Sequence, residues 1–336
     1  MSELLQTHTR DLFERAVERA VELLRSGGVV ALPTETVYGL AANAFDARAV
    51  ERVFEIKGRP AHNPVILHVA SLEMARGCVR DWPTAADALA RGFWPGPLTL
   101  VLPCSDRVPG IVTAGGDTVG VRWPSHPLIQ AVIRSCGFPL AAPSANRSGS
   151  ISPTNASHVR ASLGGRVPLI VDGGQSQVGI ESTVLDVTSV PARVLRPGMI
   201  HRESLLAVLN AVEETPMAAG PSDRLRSPGQ LLKHYAPRAR LLVLSWEDES
   251  DLIRQLTERG VDSARAEILA HARIPAGERF GGVSVIPHDA EAFARALYGE
   301  LHRCDETGAG WIVVERPPET VDWRAISDRL WRASQD

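Results

Sequence analysis

The sequence predicts an α/β protein of two domains, the first built on a mixed sheet. Three observations carry this. Short apolar strand patterns alternate with helical patterns along the whole chain, and several strands follow one another after Leu169, which calls for a mixed sheet. The chain has 336 residues, beyond the roughly 250 at which one core tends to stop growing. Between Glu213 and Arg240, finally, Pro216, Pro221, Pro228 and Pro237 fall among Ser and Gly, the composition of a linker. The expected layout is a first domain over residues 1–212, a linker over 213–240 and a second domain over 241–336.

Each element has its own signal. Phe13, Val17, Val21 and Leu24 recur at helical spacing and stop at Gly27-Gly28. Val29 to Pro33 reads as a buried strand entering a polar loop. A helix from Asp46, a strand over 64–69 and a helix from Ser71 follow. Further strands are expected over 98–102, 118–122, 140–142, 169–171, 183–187 and 193–195, with helices over 127–135, 154–163 and 203–209. Beyond the linker, strands over 241–244, 268–269, 283–286 and 311–314 alternate with helices over 251–259, 290–304 and 323–331.

Composition excludes several function classes. The formal charge is −3, so bulk electrostatic capture of nucleic acid is disfavoured. The start, Met1-Ser2-Glu3-Leu4-Leu5, lacks the basic and then apolar pattern of a secretory signal, and no apolar run approaches the roughly 18 residues of a membrane span. Cys78, Cys104, Cys136 and Cys304 lie far apart, fitting neither zinc nor disulfide spacing, so a reduced cytoplasm is expected. Only Lys57 and Lys233 are lysines among 36 basic residues.

The chemistry-bearing residues sit in loops after strands of the first domain, where open α/β sheets place ligands. Pro33-Thr34-Glu35-Thr36-Val37-Tyr38-Gly39-Leu40 gathers hydroxyls, a carboxylate and a phenol; a helix cap over a core tyrosine is its structural alternative. Tyr38 either stacks on a substrate or packs beneath the loop. Lys57-Gly58-Arg59-Pro60 pairs a compact charge with a planar fork, which suits a phosphate chain, although cations at a helix end also complement its dipole. Arg122, ending an apolar strand, is a candidate carboxylate anchor. Pro143-Ser144-Ala145-Asn146, with Ser152, offers donors for phosphate or ribose oxygens, or forms a turn. Gly179 to Thr183 and Arg196-Pro197-Gly198 place further polar residues at strand ends. Neither a P-loop, a dinucleotide fingerprint nor a nucleophile elbow occurs, so the loops read as positioning and oxyanion sites without a covalent nucleophile.

Taken together, PTETVYGL at 33–40, KGRP at 57–60 with Asn63-Pro64 and His68, TVGVRWP at 118–124, PSAN at 143–146 and RPG at 196–198 resemble the YrdC-like domain of threonylcarbamoyl-AMP synthases. Ser227-Pro228-Gly229 and Lys233-His234-Tyr235-Ala236-Pro237 resemble the linker of the family's two-domain form. The resemblance implies a YrdC-like twisted mixed-sheet domain followed by a smaller Rossmann-like α/β domain. It implies synthesis of threonylcarbamoyl-AMP and pyrophosphate from L-threonine, bicarbonate or CO2, and ATP, for threonylcarbamoyladenosine modification of tRNA by downstream transfer proteins.

Residue by residue, it implies that Thr36, His68, Arg122 and Ser182 hold threonine. Lys57, Arg59, Asn63, Thr118 and the backbone at Ala142 would hold ATP, together with Ser144, Asn146, Ser152, Arg196 and Tyr235. Lys57 and Arg59 are the candidate catalytic residues, and His234 and Tyr235 would fold over the nucleotide. Mg2+ would be held mainly by the ATP phosphates, with no protein metal ligands. Two rivals are a YrdC-like carbamoyl-transfer enzyme of another pathway and a non-catalytic RNA-binding module. The absence of upstream acylphosphatase or zinc-finger patterns argues against the first, and the negative charge against the second.

Overall fold

The computed structural model of the protein describes residues 2–60, 62–214 and 235–335. Lys233, His234 and most of the expected linker lie outside them. The chain divides into two compact units, Met1–Ser148 with Ser152–Leu231, and Gly149–Ile151 with Leu232–Asp336.

The first unit opens with β1 (Glu3–Gln6), α1 (Arg10–Arg25), β2 (Val30–Leu32), β3 (Gly39–Asn43), α2 (Ala47–Lys57) and β4 (Leu67–His68). It continues with α3 (Leu72–Gly77), α4 (Thr84–Phe93), β5 (Leu98–Pro103), β6 (Thr118–Arg122), α5 (Pro127–Cys136) and β7 (Leu140–Ala141). It ends with α6 (Ala156–Leu163), β8 (Leu169–Asp172), β9 (Thr183–Asp186), β10 (Ala192–Arg196), α7 (Arg202–Leu206) and β11 (Val212–Glu214). Among the described residues these strands form one mixed sheet in the order β1-β8-β2-β3-β7-β4-β6-β5-β9-β10-β11.

The apolar runs of β2 and β8 follow from burial on both faces. Val30, Leu32, Leu169 and Val171 pack with Ala16, Ala20 and Leu24 of α1 and with Ile129 and Val132 of α5. The alternate residues Val29, Ala31 and Ile170 pack with Val53 of α2 and with Val159 and Leu163 of α6. Successive strand residues point to opposite faces, so helices cover both sides. Such a strand reads as continuous hydrophobicity rather than alternation.

Helix α2 starts where the Asp46 carboxylate accepts from the Arg48 and Ala49 N–H groups. It stops at Gly58, whose φ of 62° is left-handed, a conformation glycine adopts without Cβ strain. The turn leaves Lys57 and Arg59 on either side of the helix end. β11 pairs in parallel with β10 through Val194↔Glu214, so the first sheet takes in two residues that composition assigns to the linker.

The second unit contains β12 (Arg240–Leu244), α8 (Glu249–Glu258), β13 (Ala266–Ala270), β14 (Gly282–Val285), α9 (Ala290–Glu306), β15 (Trp311–Glu315) and α10 (Arg324–Ala333). Its strands, all parallel, lie in the order β12-β15-β13-β14. Leu244, Leu252, Leu256, Ile268 and Val313 build its core. Ser150 bridges Ala236, and the Ala236 N–H donates to the Gly149 carbonyl at 2.9 Å. Tyr235 is buried, its ring 6.0 Å from that of Tyr298 and 5.2 Å from the Arg329 guanidinium carbon. Among the described residues no helix is long and apolar enough to cross a membrane.

Candidate functional site

The site of the first unit is assembled from loops that hold one another by backbone hydrogen bonds. The loop after β2 is organised by Thr34, whose hydroxyl accepts from the Val37 N–H at 3.2 Å and donates to the Val37 carbonyl at 2.6 Å. Ser176 donates to the Thr34 carbonyl and the Val178 N–H to that of Glu35, tying in the loop before β9. The loop after β7 joins through Leu40 N–H to Pro143 O at 2.7 Å and Ala145 N–H to Tyr38 O at 2.8 Å. Three loops far apart in sequence thus become one rigid frame.

Tyr38 belongs beneath that frame. Its hydroxyl donates to the Gly174 carbonyl at 2.7 Å and accepts from the Gly173 N–H at 3.1 Å, and its ring is fully buried. Burial raises the phenol pKa, which disfavours its ionisation.

Arg122 and His68 meet because β6 and β4 pair in parallel with these two residues in register. Both are buried. Arg122 Nη1 donates to the Thr36 hydroxyl at 2.9 Å, and that hydroxyl lies 2.9 Å from that of Thr34. Nη2 lies 2.8 Å from Glu35 Oε1, both side chains nearly inaccessible. The Nε and Nη2 hydrogens nevertheless find no acceptor on line. Desolvation first, and the Arg122 charge second, push the His68 imidazole down to about 3, so it is neutral, with an unpartnered Nδ1. A buried guanidinium with unspent donors, beside a hydroxyl and a neutral imidazole, is suited to a carboxylate.

Ser182 sits just before β9, its hydroxyl 2.8 Å from that of Thr99 on β5. Arg196 Nη2 donates to the Ser182 hydroxyl and Nε to its carbonyl, each at 3.1 Å. Gly198 makes this possible: a Cβ there would stand 2.3 Å from the Thr183 nitrogen. The Ser152 hydroxyl donates to Glu181 Oε1 at 2.6 Å.

Lys57 and Arg59 are buried in contacts of their own. The Lys57 ammonium donates to the carbonyls of Ser144 and Asn146, the latter at 2.6 Å, and to Asn146 Oδ1 at 3.3 Å, so its three N–H groups lock the loop after β7. Burial, reinforced by the nearby Arg59 charge, lowers its pKa well below the ordinary value. Arg59 Nη2 donates to Asn63 Oδ1 and to Pro64 O, both at 2.7 Å, leaving Asn63 Nδ2 without an acceptor. The Ala142 N–H donates to Ile66 O at 3.2 Å.

Two of the expected residues stand apart from the Arg122 group. Thr118 opens β6, four residues and about 13 Å of strand from Arg122, though on the same face. Tyr235 belongs to the second unit. The sequence singled out Thr34, Glu35 and Glu181 only as members of polar loops, with no role of their own, and gave no signal for Thr99, whose hydroxyl meets that of Ser182. The cysteines are buried and free, and burial raises the thiols of Cys104 and Cys136 to about 11 and those of Cys78 and Cys304 to about 12, which disfavours the reactive thiolate.

A family model described as "Telomere recombination", covering Sua5, YciO and YrdC proteins, matches residues 22–198. A second, described as "Threonylcarbamoyl-AMP synthase, C-terminal domain", matches residues 200–335. The threonylcarbamoyl-AMP synthase of Pyrococcus abyssi is 40% identical over 332 residues, covering 96% of this chain and 94% of the relative. That of Bacillus subtilis is 40% identical over 329 residues, covering 95% and 92%. The crystal structure of P. abyssi Sua5 complexed with L-threonine has a TM-score of 0.90 at 38% identity, covering 99% of this chain and 97% of that one.

Proposed function

The chain belongs to the threonylcarbamoyl-AMP synthase family, and from that premise we propose that it joins L-threonine, bicarbonate or CO2, and ATP into threonylcarbamoyl-AMP, releasing pyrophosphate, as a nucleotidyltransferase. The product then serves downstream proteins that transfer the threonylcarbamoyl group to an adenosine beside the anticodon of tRNA. The observation that carries this reading is buried Arg122, whose Nε and Nη2 donors are unspent beside Thr36 and neutral His68.

Threonine docks its carboxylate on Arg122, with Thr36, His68 and Ser182 around the remainder. The bound α-ammonium first gives up a proton to solvent, and the resulting free amine attacks the carbon of bicarbonate, which leaves a carbamate and a water, or that of CO2, which leaves a carbamate and a second proton. A carbamate oxygen then attacks the α-phosphorus of ATP, and the bond to the β-phosphate oxygen breaks to give pyrophosphate. No protein nucleophile is required, since positioning and charge neutralisation suffice. Arg59, Asn63, Thr118, Ser144, Asn146, Ser152 and Arg196, with the backbone at Ala142, form the nucleotide side. Lys57 holds the Ser144–Asn146 loop in place. The groups on the nucleotide side are mainly cations, hydroxyls and amides, which suit phosphates, and Mg2+ would be held by the triphosphate.

The test supplies purified protein with ATP, threonine and radiolabelled bicarbonate in the absence of tRNA. A labelled adenylate with the mass of threonylcarbamoyl-AMP is expected. Tight RNA binding without label incorporation would contradict the proposal.

A further inference from the structure

The ion pair between Glu35 and Arg122 has an uncommon feature. Arg122 Nη2 and Glu35 Oε1 are 2.8 Å apart, yet neither Glu35 oxygen receives a hydrogen bond and neither Nη2 nor Nε makes one. The N–H bonds do not point at the carboxylate. A buried ion pair normally offsets its desolvation by spending its donors and acceptors on each other. Here the two charges neutralise each other while the Glu35 oxygens and the Arg122 Nε and Nη2 donors stay free.

Glu35 is 6% exposed, and among the described residues its only ion pair is with Arg122. His126 also faces it, but burial lowers that imidazole's pKa and favours its neutral form. His68 is neutral as well. A ligand carboxylate that took over Arg122 would therefore strand a second buried anion beside the first, a costly arrangement. A ligand that carries a cation one carbon from its carboxylate removes the conflict: its carboxylate takes the Arg122 donors and its ammonium takes the Glu35 acceptors.

From this juxtaposition of unspent guanidinium donors and unspent carboxylate acceptors, we infer that Glu35 is the specificity-determining acceptor for the α-ammonium group of the amino-acid substrate. The inference rests on the threonine reading of the Arg122 site and deepens it. It explains why a carboxylate stands inside a buried loop of hydroxyls, next to Thr36. It also assigns the site to α-amino acids in their zwitterionic form, against hydroxy acids of the same shape.

The experiment compares, by isothermal titration of the full chain, L-threonine with (R)-3-hydroxybutyrate, which is threonine without its amine. The wild-type protein is expected to prefer threonine by roughly 30-fold or more, the scale of losing one partner of a buried charge pair. In Glu35→Gln, threonine binding weakens by a similar factor while hydroxybutyrate binding holds or improves, because no buried anion is stranded. If Glu35 only braced Arg122, both ligands would weaken together in the variant, and that result would overturn the inference. Equal affinity of the wild-type chain for the two ligands would overturn it with no variant at all, whatever the fold of Glu35→Gln. A wild-type chain that binds no threonine would instead sink the underlying reading of the site.

Discussion

His68 shows how one buried side chain couples the site to pH. Its imidazole is held at about 3 in the folded protein against an ordinary value near 6.5, so between those limits the unfolded chain takes up a proton that the folded chain refuses. Stability is therefore lost as the pH falls from about 6.5, and the loss levels off near 3. His68→Gln removes this contribution: its melting temperature, relative to wild type, is expected to improve progressively between pH 6.5 and pH 4.5. Parallel curves would show that His68 is protonated in the folded state. Arg122→Ala is expected to lower kcat/KM for threonine about 100-fold, with the KM for ATP changed far less. Equal effects on both substrates would contradict the carboxylate assignment.

These residues were unequally legible in the sequence. Arg122 stood out because a charge at the end of an apolar strand needs a reason. Glu35 did not, since Thr34, Glu35 and Thr36 look alike in a polar loop and only the fold turns Glu35 toward Arg122. For Tyr38 the sequence left two readings open, and the bonds of its hydroxyl to Gly173 and Gly174 decide for packing.

Among the elements, the turn that follows β10 is the most exposed to a small change. A Cβ on Gly198 would stand 2.3 Å from the Thr183 nitrogen, against backbone that cannot yield without moving β9. Gly198→Ala is expected to cost about 2 kcal/mol or more of stability, seen in urea unfolding, and to raise the KM for ATP by displacing Arg196 from Ser182. An unchanged urea midpoint would mean that the turn relaxes freely. Periodicity located most of the long helices and the buried strands, but not α4 (Thr84–Phe93), for which no helix was expected. It missed β1, which is four residues long, mostly exposed and defined only by pairing with β8 some 166 residues away. β3 escaped for another reason: Gly39-Leu40-Ala41-Ala42-Asn43 contains no β-branched residue, and its strand state is imposed by β2 and β7.

For the whole molecule, the Arg122 group and the loops around it belong to the first unit, and Tyr235 to the second. Tyr235 adopts a left-handed backbone, φ 63°, and is buried beside Tyr298 and Arg329, the latter paired with Asp328 at 2.6 Å. A chain ending at Glu214, which keeps β11 in the sheet, is expected to unfold cooperatively yet to lose most adenylate formation. Full activity of this shortened form would refute a role for the linker. The alternation of strands and helices was enough to foresee two α/β units. The segment Gly149–Ile151, which clusters with the second unit through Ala236, carried no such signal, because a bridge between residues 86 apart leaves no local pattern.

Joint use of threonine, bicarbonate and ATP is open to one measurement: pyrophosphate release from ATP by the full chain, with each substrate omitted in turn. Release is expected to require threonine and bicarbonate together and to fall to background when either is left out. Release from ATP alone, or with threonine but under strict exclusion of bicarbonate and CO2, would contradict it.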